Sequence, residues 1–280
     1  MENKLKNRTK LEKLREWMKY KKYSENTIST YCSHLRQIFI YFDKDSSNIS
    51  SRDLYNMISD LNNTISISET KHNHLVSSFR LYMYVIHWRK INERLLQRPK
   101  KARKLPEILS EEEIGMVINS ITNLKHKSII AFIYLHGLRI SECINFKLSD
   151  FDKSSGVIHV RGGKGRKDRY IEFNPFCREI LKQYYEIYKP KEYLFDGQNT
   201  HYSATSIRKI LKASLERCGI KKDIHVHSLR HSFATHMFDN GTDLAKIQLV
   251  LGHSSPKSTR IYTKISTRTI KGLYQLRIAV

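Results

Sequence analysis

The sequence predicts a mainly α-helical protein of two domains, an all-α N-terminal domain and an α+β domain that contains a small antiparallel sheet. Apolar residues recur at helical spacing through most of the 280 residues. Only residues 157–173 have two short runs of β-branched and aromatic residues on either side of a glycine-rich turn. A basic stretch with two prolines at residues 97–106 separates the two domains.

The N-terminal domain, residues 1–96, is predicted to contain four helices and no strand. The helices are expected at residues 10–23, from Ser24 onward, at residues 52–61 and at residues 69–91. Ser24 is a suitable N-cap, because its hydroxyl can accept a hydrogen bond from an unpaired backbone N–H. The aromatic residues of this domain are expected in its core and not on a base-stacking surface.

Residues 97–109 are predicted to form an extended linker, because Pro99 and Pro106 disfavour helix. The basic residues of the linker are Arg98, Lys100, Lys101, Arg103 and Lys104. Such a segment can lie along a phosphate backbone. A linker that is merely solvated is an equally good interpretation.

The second domain is predicted to span residues 110–264. Ser110 and Glu113 form a capping-box pattern at its first helix. Gly137 is expected to end an apolar helix of residues 128–136, and Ser141 is a candidate cap for the next helix. Further helices are predicted at residues 175–188, 203–218, 228–239 and 244–251. Residues 265–280 are predicted to be a C-terminal helix or tail that docks on its own chain or on a neighbouring subunit.

The predicted sheet is a hairpin of residues 157–160 and 170–173, with a basic tip at residues 161–169. Such a tip is expected to be mobile, because its glycines leave the backbone few restraints.

The chain has 50 lysines and arginines against 27 acidic residues, a net charge of +23, and both predicted domains are basic. Basic residues in two domains favour a polyanion held from two sides over a membrane surface. A lysine-rich proteome is the alternative explanation of this charge. With 40% hydrophobic residues, each domain can form a core.

The four cysteines, Cys32, Cys143, Cys177 and Cys218, are far apart and form no C-x-x-C pair. This spacing argues against a disulfide framework or a cysteine zinc site and is typical of a reducing cytosol. The N-terminus lacks the apolar segment of a signal peptide, and no stretch approaches the length of a membrane span. We therefore expect a soluble, cytoplasmic protein without a membrane partner.

Phosphoryl transfer needs a nucleophile, donors for the phosphate oxygens and an acid for the leaving oxygen. A tyrosine hydroxyl can form a covalent phosphoester. The residues that suit these roles are Arg139, Lys164, His227, Arg230, His253 and Tyr262. No carboxylates stand at the spacing of a two-metal nuclease.

A zinc site is the alternative for the histidines, because His227 and His231 are four residues apart and can share one helix face. No glutamate completes an H-E-x-x-H pattern, and the basic surroundings disfavour a dication. The glycine-rich hairpin tip lacks the spacing and the Lys-Ser/Thr ending of a Walker A loop, so nucleotide hydrolysis is not supported. We expect no metal and no other cofactor.

Five dispersed motifs, in this order, resemble the tyrosine recombinase (phage integrase) family, and most closely its short Xer-type and transposon-type members. The motifs are residues 136–142, the glycine-flanked Lys164, residues 227–231, residues 251–254 and residues 261–263. Residues 24–28 are similar to the start of the family's core-binding domain. The resemblance covers nearly the whole chain. It implies the tyrosine recombinase fold, with a DNA-binding core-binding domain at residues 1–96 and a catalytic domain at residues 110–264.

The resemblance implies that Arg139, Arg230 and His253 stabilise the scissile phosphate and its pentacoordinate transition state. Glu142 would be a supporting residue that orients the site. Tyr262 would form a 3′-phosphotyrosyl link to DNA.

Two further roles follow from the resemblance. His227 would assist proton transfer near the tyrosine, and Lys164 would protonate the leaving 5′-oxygen. The family needs neither ATP nor a metal and acts as a tetramer on two DNA sites, so we expect a homotetramer on DNA and a monomer or dimer without it. The chain begins almost directly at the core-binding domain, which favours simple inverted-repeat core sites.

Double-stranded DNA is the expected partner, and a second recombinase as a partner is left open. The candidate DNA contacts are Thr27, Lys100, Lys101, Arg103, Lys104, Arg161, Arg166 and Lys167. Two other interpretations remain: a type IB topoisomerase, which shares the chemistry without pairing two sites, and a DNA-binding regulator that has kept the fold and lost catalysis.

Overall fold

The computed structural model describes residues 2–97, 105–152, 154–162, 168–197, 200–252 and 259. The chain divides into two compact units, Met1–Arg103 and Lys104–Val280. The helices described in the first unit are α1 (Glu2–Tyr20), α2 (Glu25–Phe42), α3 (Ser51–Ile65) and α4 (Glu69–His87). Four helices were predicted here, and the described part of the unit has these four α-helices.

Local side-chain chemistry explains where these helices begin. The Ser24 hydroxyl accepts a hydrogen bond from the Thr27 N–H at 3.2 Å, so Ser24 caps α2 as predicted. Helix α4 ends at His87 and not at the predicted residue 91. Trp88 turns the chain in the left-handed conformation, with φ 54°, and Ile91 then reaches the core.

The core of the first unit lies mainly between α2 and α4. The α2 residues buried there are Ile28, Cys32, Leu35, Ile38 and Phe39. Phe79 and Tyr82 of α4 are fully buried, whereas Tyr20 and Tyr84 are exposed. The prediction that the aromatic residues are core residues is therefore correct for the first pair and wrong for the second.

The second unit is helical around one small sheet. Its helices are α5 (Glu111–Asn119), α6 (Leu124–Leu135), α7 (Ile140–Ile144), α8 (Pro175–Tyr188), α9 (Ala204–Arg217), α10 (Val226–Asp239) and α11 (Leu244–Leu251), and its strands are β1 (Phe151–Asp152), β2 (Val157–Val160) and β3 (Arg169–Glu172). The strands pair antiparallel in the order β1-β2-β3, with Ile158 opposite Ile171. The mainly α fold with a small antiparallel sheet is confirmed; β1 was not predicted, because two residues show no periodicity.

Two predicted caps have different outcomes. Ser110 and Glu113 form the expected capping box at α5. Ser141 is not a cap, because α7 begins at Ile140 and places Ser141 inside its first turn. Arg139 occupies the cap position, and its backbone N–H donates to the Glu142 carboxylate at 2.8 Å.

Helix α6 is the centre of the second core. Its residues 128–133 are buried in succession, and it packs against α8, α9 and α10. The polypeptide leaves this buried helix through His136 and Gly137, so the position of the following α7 is fixed from inside the core. Among the helices of the described ranges, none has both the length and the apolar character needed to cross a membrane.

Gly137→Ala is expected to destabilise the second unit by about 1–3 kcal/mol. Gly137 has φ +57°, and an added Cβ would lie 2.5 Å from Phe233 Cδ1 and 2.9 Å from Leu251 Cδ2. The matched control is Gly115→Ala, because Gly115 lies within α5 with nothing within 4 Å of its added Cβ. Alanine there is expected to stabilise the helix by up to about 1 kcal/mol. Urea denaturation of both variants checks the prediction, which fails if they unfold alike.

Candidate functional site

Arg139, the cap residue of α7, and Arg230, on α10, converge on the C-terminal end of α11. Arg230 is in the middle of α10 and is fully buried. Its Nη1 donates to the Gly137 carbonyl at 2.8 Å, and its Nη2 donates to the Leu251 carbonyl. Arg139 Nη1 reaches the same Leu251 carbonyl at 3.5 Å. The two arginines that the sequence predicted are therefore brought together.

The α11 C-terminus suits this arrangement. The last carbonyls of a helix lack intrahelical partners and bear partial negative charge. Here the Leu251 and Val250 carbonyls accept hydrogen bonds from arginine side chains. The cations therefore fix the end of the helix that leads directly to residue 253.

Glu142 supplies the negative charge beside Arg139, Arg169 and Arg230, which together form the arginine cluster. Its side chain is 2% exposed and accepts from Arg139 Nη1 at 2.6 Å. Arg169 donates to both carboxylate oxygens at 3.0 Å each, and Arg230 Nη1 lies 3.7 Å from Oε2. One carboxylate therefore lies beside three guanidinium groups, an arrangement that suits the supporting role predicted for Glu142.

The protonation state of Glu142 follows from these contacts. Burial raises the pKa of the Glu142 carboxyl, but the hydrogen bonds and charge of Arg169, followed by those of Arg139, outweigh burial and lower the pKa from 4.5 to about 2. At neutral pH the carboxylate is ionised. Three positive charges and one negative charge leave this group of four side chains with an excess of positive charge.

Arg169 is a site residue that the sequence analysis missed. It was assigned to the mobile hairpin tip, and this was wrong: Arg169 is the first residue of β3, and its side chain is 8% exposed. Its Nε donates to the Val250 carbonyl at 2.5 Å. The signal was available, because Arg169 is two residues before the apolar Ile171 and therefore on the same buried face of the strand.

His136 links the arginine cluster to the start of α8. Its Nδ1–H donates to the Phe132 carbonyl at 3.1 Å, and its Nε2 accepts from the Asn174 N–H at 3.2 Å. Burial lowers the pKa of His136 to about 4. The ring is therefore neutral, with its proton on Nδ1. Its two hydrogen bonds fix the position of the backbone immediately before Gly137.

His227 and His231 lie one turn apart on α10. His227 is exposed, His231 is half-buried, and their rings meet edge to face with centroids 4.6 Å apart. Burial, followed by the electrostatic effects of the nearby His227 and Arg230, lowers the pKa of His231 to about 4. His227 is thus the outer histidine of the pair. Within the described ranges, no group of three or more His, Cys, Asp or Glu side chains is arranged around a metal site.

Several predicted site residues lie outside the described residues. They are Lys164, His253 and Tyr262 of the catalytic set, and Lys100, Lys101, Arg103, Lys104, Arg166 and Lys167 of the candidate DNA contacts. The tail at residues 265–280 also lies outside them.

Two candidate DNA contacts are described. Thr27 lies in the first turn of α2, where its hydroxyl is 2.8 Å from that of Ser24. Arg161 follows β2 and donates from Nε to Asp150 Oδ1 at 2.7 Å, while about half of its side chain remains exposed. Both residues lie partly open to solvent, and a role in DNA contact stays a prediction for each.

The fold of the chain has counterparts among solved structures. The fold is similar to that of a XerH site-specific recombinase bound to palindromic difH substrate in a post-cleavage complex, with a TM-score of 0.71. The two chains are 24% identical, and the match covers 89% of this chain and 79% of XerH.

The sequence comparisons agree with the fold. Residues 104–268, more than half of the chain, match the phage integrase family model. A tyrosine recombinase of Thermosipho africanus is 31% identical over 257 residues, which cover 88% of this chain and 91% of the relative. The tyrosine recombinase XerC of Halalkalibacterium halodurans is 32% identical over 65% of each chain. The chain therefore belongs to the phage integrase family of tyrosine recombinases and is a site-specific recombinase.

Glu142→Gln is expected to destabilise the second unit by about 3 kcal/mol at pH 7, because three buried or half-buried guanidinium groups lose their carboxylate. The folded-state pKa is lower than the usual value, so this stabilisation is full above about pH 4.5 and is lost as the pH falls towards 2. The difference between wild type and variant should shrink by roughly 1.4 kcal/mol per pH unit below pH 4.5.

Urea denaturation at pH 7, 5 and 4 measures this difference. The matched control is Glu172→Gln, which changes an exposed carboxylate on the strand that contains Arg169. A Glu142→Gln variant as stable as that control at pH 7 would contradict the interpretation.

Proposed function

We propose that this recombinase cleaves and rejoins DNA strands through a covalent 3′-phosphotyrosyl intermediate on Tyr262. One observation supports the proposal most directly: Arg139 and Arg230 converge on the Leu251 carbonyl, two residues before His253. Nine residues after His253 the chain reaches Tyr262. Two cations, a histidine and a tyrosine are the groups that phosphoryl transfer to a protein hydroxyl requires.

Arg139 and Arg230 are proposed to stabilise the negative charge of the transition state. In the transition state the scissile phosphate has five oxygen ligands and more negative charge on its non-bridging oxygens than in the ground state. Arg139 and Arg230 are held before DNA arrives, so they stabilise that charge without reorganising. His253 donates to the same oxygens in this proposal.

In the proposed cleavage step, one P–O bond is exchanged for another. The Tyr262 oxygen attacks phosphorus and forms a P–O bond, while the P–O5′ bond breaks. The proton of the Tyr262 hydroxyl passes to His227, and the Lys164 ammonium gives a proton to the departing 5′-oxygen. The products are a 3′-phosphotyrosine and a free 5′-hydroxyl. Attack by a 5′-hydroxyl of a second strand reverses these steps and restores a phosphodiester.

This sequence of steps needs no external energy and no metal. One phosphoester is exchanged for another, so the bond energy is retained in the tyrosyl link. Guanidinium and imidazole groups supply the charge that a metal ion supplies in other phosphoryl-transfer enzymes. We therefore propose that the enzyme requires neither ATP nor a divalent cation.

The substrate proposed is double-stranded DNA with two inverted-repeat core sites, bound by a tetramer in the cytoplasm. The net charge of +23 supports binding to a polyanion. The residues proposed to contact DNA are Thr27, Lys100, Lys101, Arg103, Lys104, Arg161, Arg166 and Lys167. Residues 265–280 are proposed to pack on a neighbouring subunit.

Tyr262→Phe is expected to abolish formation of a protein–DNA covalent complex and to change DNA affinity by less than about threefold, because it removes one hydroxyl and no charge. The substrate is a duplex from the DNA flanking the gene, labelled at the 5′ end of the strand to be cut. A nick a few nucleotides 3′ of the scissile phosphate lets the short 5′-hydroxyl fragment diffuse away and traps the complex. Reactions contain EDTA and are stopped with SDS.

Tyr185→Phe is the matched control, because Tyr185 is a half-exposed tyrosine on α8 away from the arginine cluster. A labelled protein band with wild type and Tyr185→Phe, but not with Tyr262→Phe, supports the proposal. A wild-type protein that binds this DNA without a band is either a regulator or a recombinase that needs a partner recombinase. A band with relaxation of supercoiled DNA but no recombination of paired sites indicates a topoisomerase.

Lys164→Ala is expected to slow cleavage by about 10²- to 10⁴-fold, because the 5′-oxygen then leaves without a proton. A substrate with sulfur at the 5′-bridging position has a leaving group that needs no proton, and it should restore the rate of this variant. Tyr262→Phe is the control that this substrate cannot rescue. A Lys164→Ala variant that stays slow on the sulfur substrate contradicts the acid role.

A further inference from the structure

Arg169 connects three segments of the second unit. It begins β3, it bonds to Glu142 of α7, and it bonds to Val250 in the last turn of α11. Each segment adjoins a residue of the proposed chemistry: α7 follows Arg139, α11 ends shortly before His253, and β3 begins five residues after Lys164. The buried Arg169 side chain thus holds together three segments that are distant in sequence.

The contact with Glu142 has a defined geometry. Two guanidinium nitrogens of Arg169 face the two carboxylate oxygens at 3.0 Å each. Such a paired contact fixes the plane of the carboxylate, which a single hydrogen bond does not. The same carboxylate accepts Arg139 Nη1 at 2.6 Å. The orientation of Arg139 therefore depends on Arg169 through Glu142.

The backbone at Gly252 also packs on Arg169. A Cβ at Gly252 would lie 3.1 Å from Arg169 Cδ and 3.2 Å from its Nη1, and the glycine has φ +60°. The chain leaves α11 over the arginine side chain with no room for a larger residue. The path towards residue 253 is therefore set in part by Arg169.

We propose that Arg169 is a positioning residue of the recombination reaction. It holds Glu142 and the α11 C-terminus so that Arg139, Arg230 and His253 can act on one phosphate, while the three nitrogens of its own guanidinium are bonded to Val250 and Glu142. The inference rests on the proposed tyrosyl-transfer function. It adds an arginine that acts through other residues and not on the substrate.

The first test is Arg169→Lys, which keeps the charge and loses the paired contact. We expect single-turnover cleavage at saturating DNA to slow by roughly 10- to 100-fold, the usual effect of losing a residue that orients a catalytic group. DNA affinity should change less than about threefold. The control is Arg178→Lys, an exposed arginine over the Phe173 ring beside the same sheet, which should leave cleavage unchanged.

A second variant moves Arg169 without replacing it. Gly252→Ala pushes a methyl group against the Arg169 side chain and should slow cleavage in the same way. Gly219→Ala controls for backbone strain, because Gly219 has φ +66° at the end of α9 and nothing within 4 Å of its added Cβ. If Gly252→Ala and Gly219→Ala cleave at equal rates, the packing of Gly252 on Arg169 has no role in catalysis and the inference is wrong.

Two further measurements decide how Arg169 acts. In a Glu142→Gln background, Arg169→Lys should have a smaller effect than in wild type, because both changes break the same contact. The sulfur-bridged substrate should not restore the cleavage rate of Arg169→Lys. Restoration would mean that Arg169 acts through Lys164 and would overturn the proposed route.

Cleavage by Arg169→Lys at the wild-type rate also overturns the inference. A wild-type protein that forms no tyrosyl complex removes the proposed function, and the inference falls with it.

Discussion

The ionised carboxylate of Glu142 is the interaction on which the site depends. Arg139, Arg169 and Arg230 lie close together in a largely buried region, where like charges repel strongly. Glu142 sits beside all three, and the α11 carbonyls supply further acceptors. Without this carboxylate the guanidinium groups would separate or recruit water. With it, they remain close and retain an excess of positive charge suited to a phosphate.

The cluster also explains why the surrounding backbone is so constrained. Gly137 turns the chain in a conformation that side chains rarely adopt, and its carbonyl receives Arg230. His136 directly precedes that turn, is kept neutral by burial, and accepts a hydrogen bond from the backbone at the start of α8. Gly252 passes directly over Arg169. Because these contacts are made by buried or half-buried groups, a small displacement at one is transmitted to the others.

A site built from arginines and histidines suits the reversible strand exchange proposed for this protein. Guanidinium groups stay charged at any physiological pH, so the phosphate binding proposed for them does not depend on proton uptake. His231 is kept neutral by burial, with a smaller contribution from its neighbours His227 and Arg230. The exposed His227 beside it is the histidine that can meet a substrate. Burial thus separates a structural histidine from one available for chemistry on the same helix face.

Much of this protein was determined by the sequence itself, because local patterns decide where helices begin, end and bury a face. The caps at Ser24 and Ser110, the helix after Asn174 and the hairpin strands follow from such patterns, and so did Arg139, Arg230 and Glu142 as site residues through their motif. Only the tertiary structure assigned Arg169 to the site and showed that Gly252 packs on the Arg169 side chain. Those assignments are contacts between residues far apart in the chain, such as Glu142 and Arg169 or Arg169 and Val250. Periodicity along one segment contains no information about them until the segments are packed.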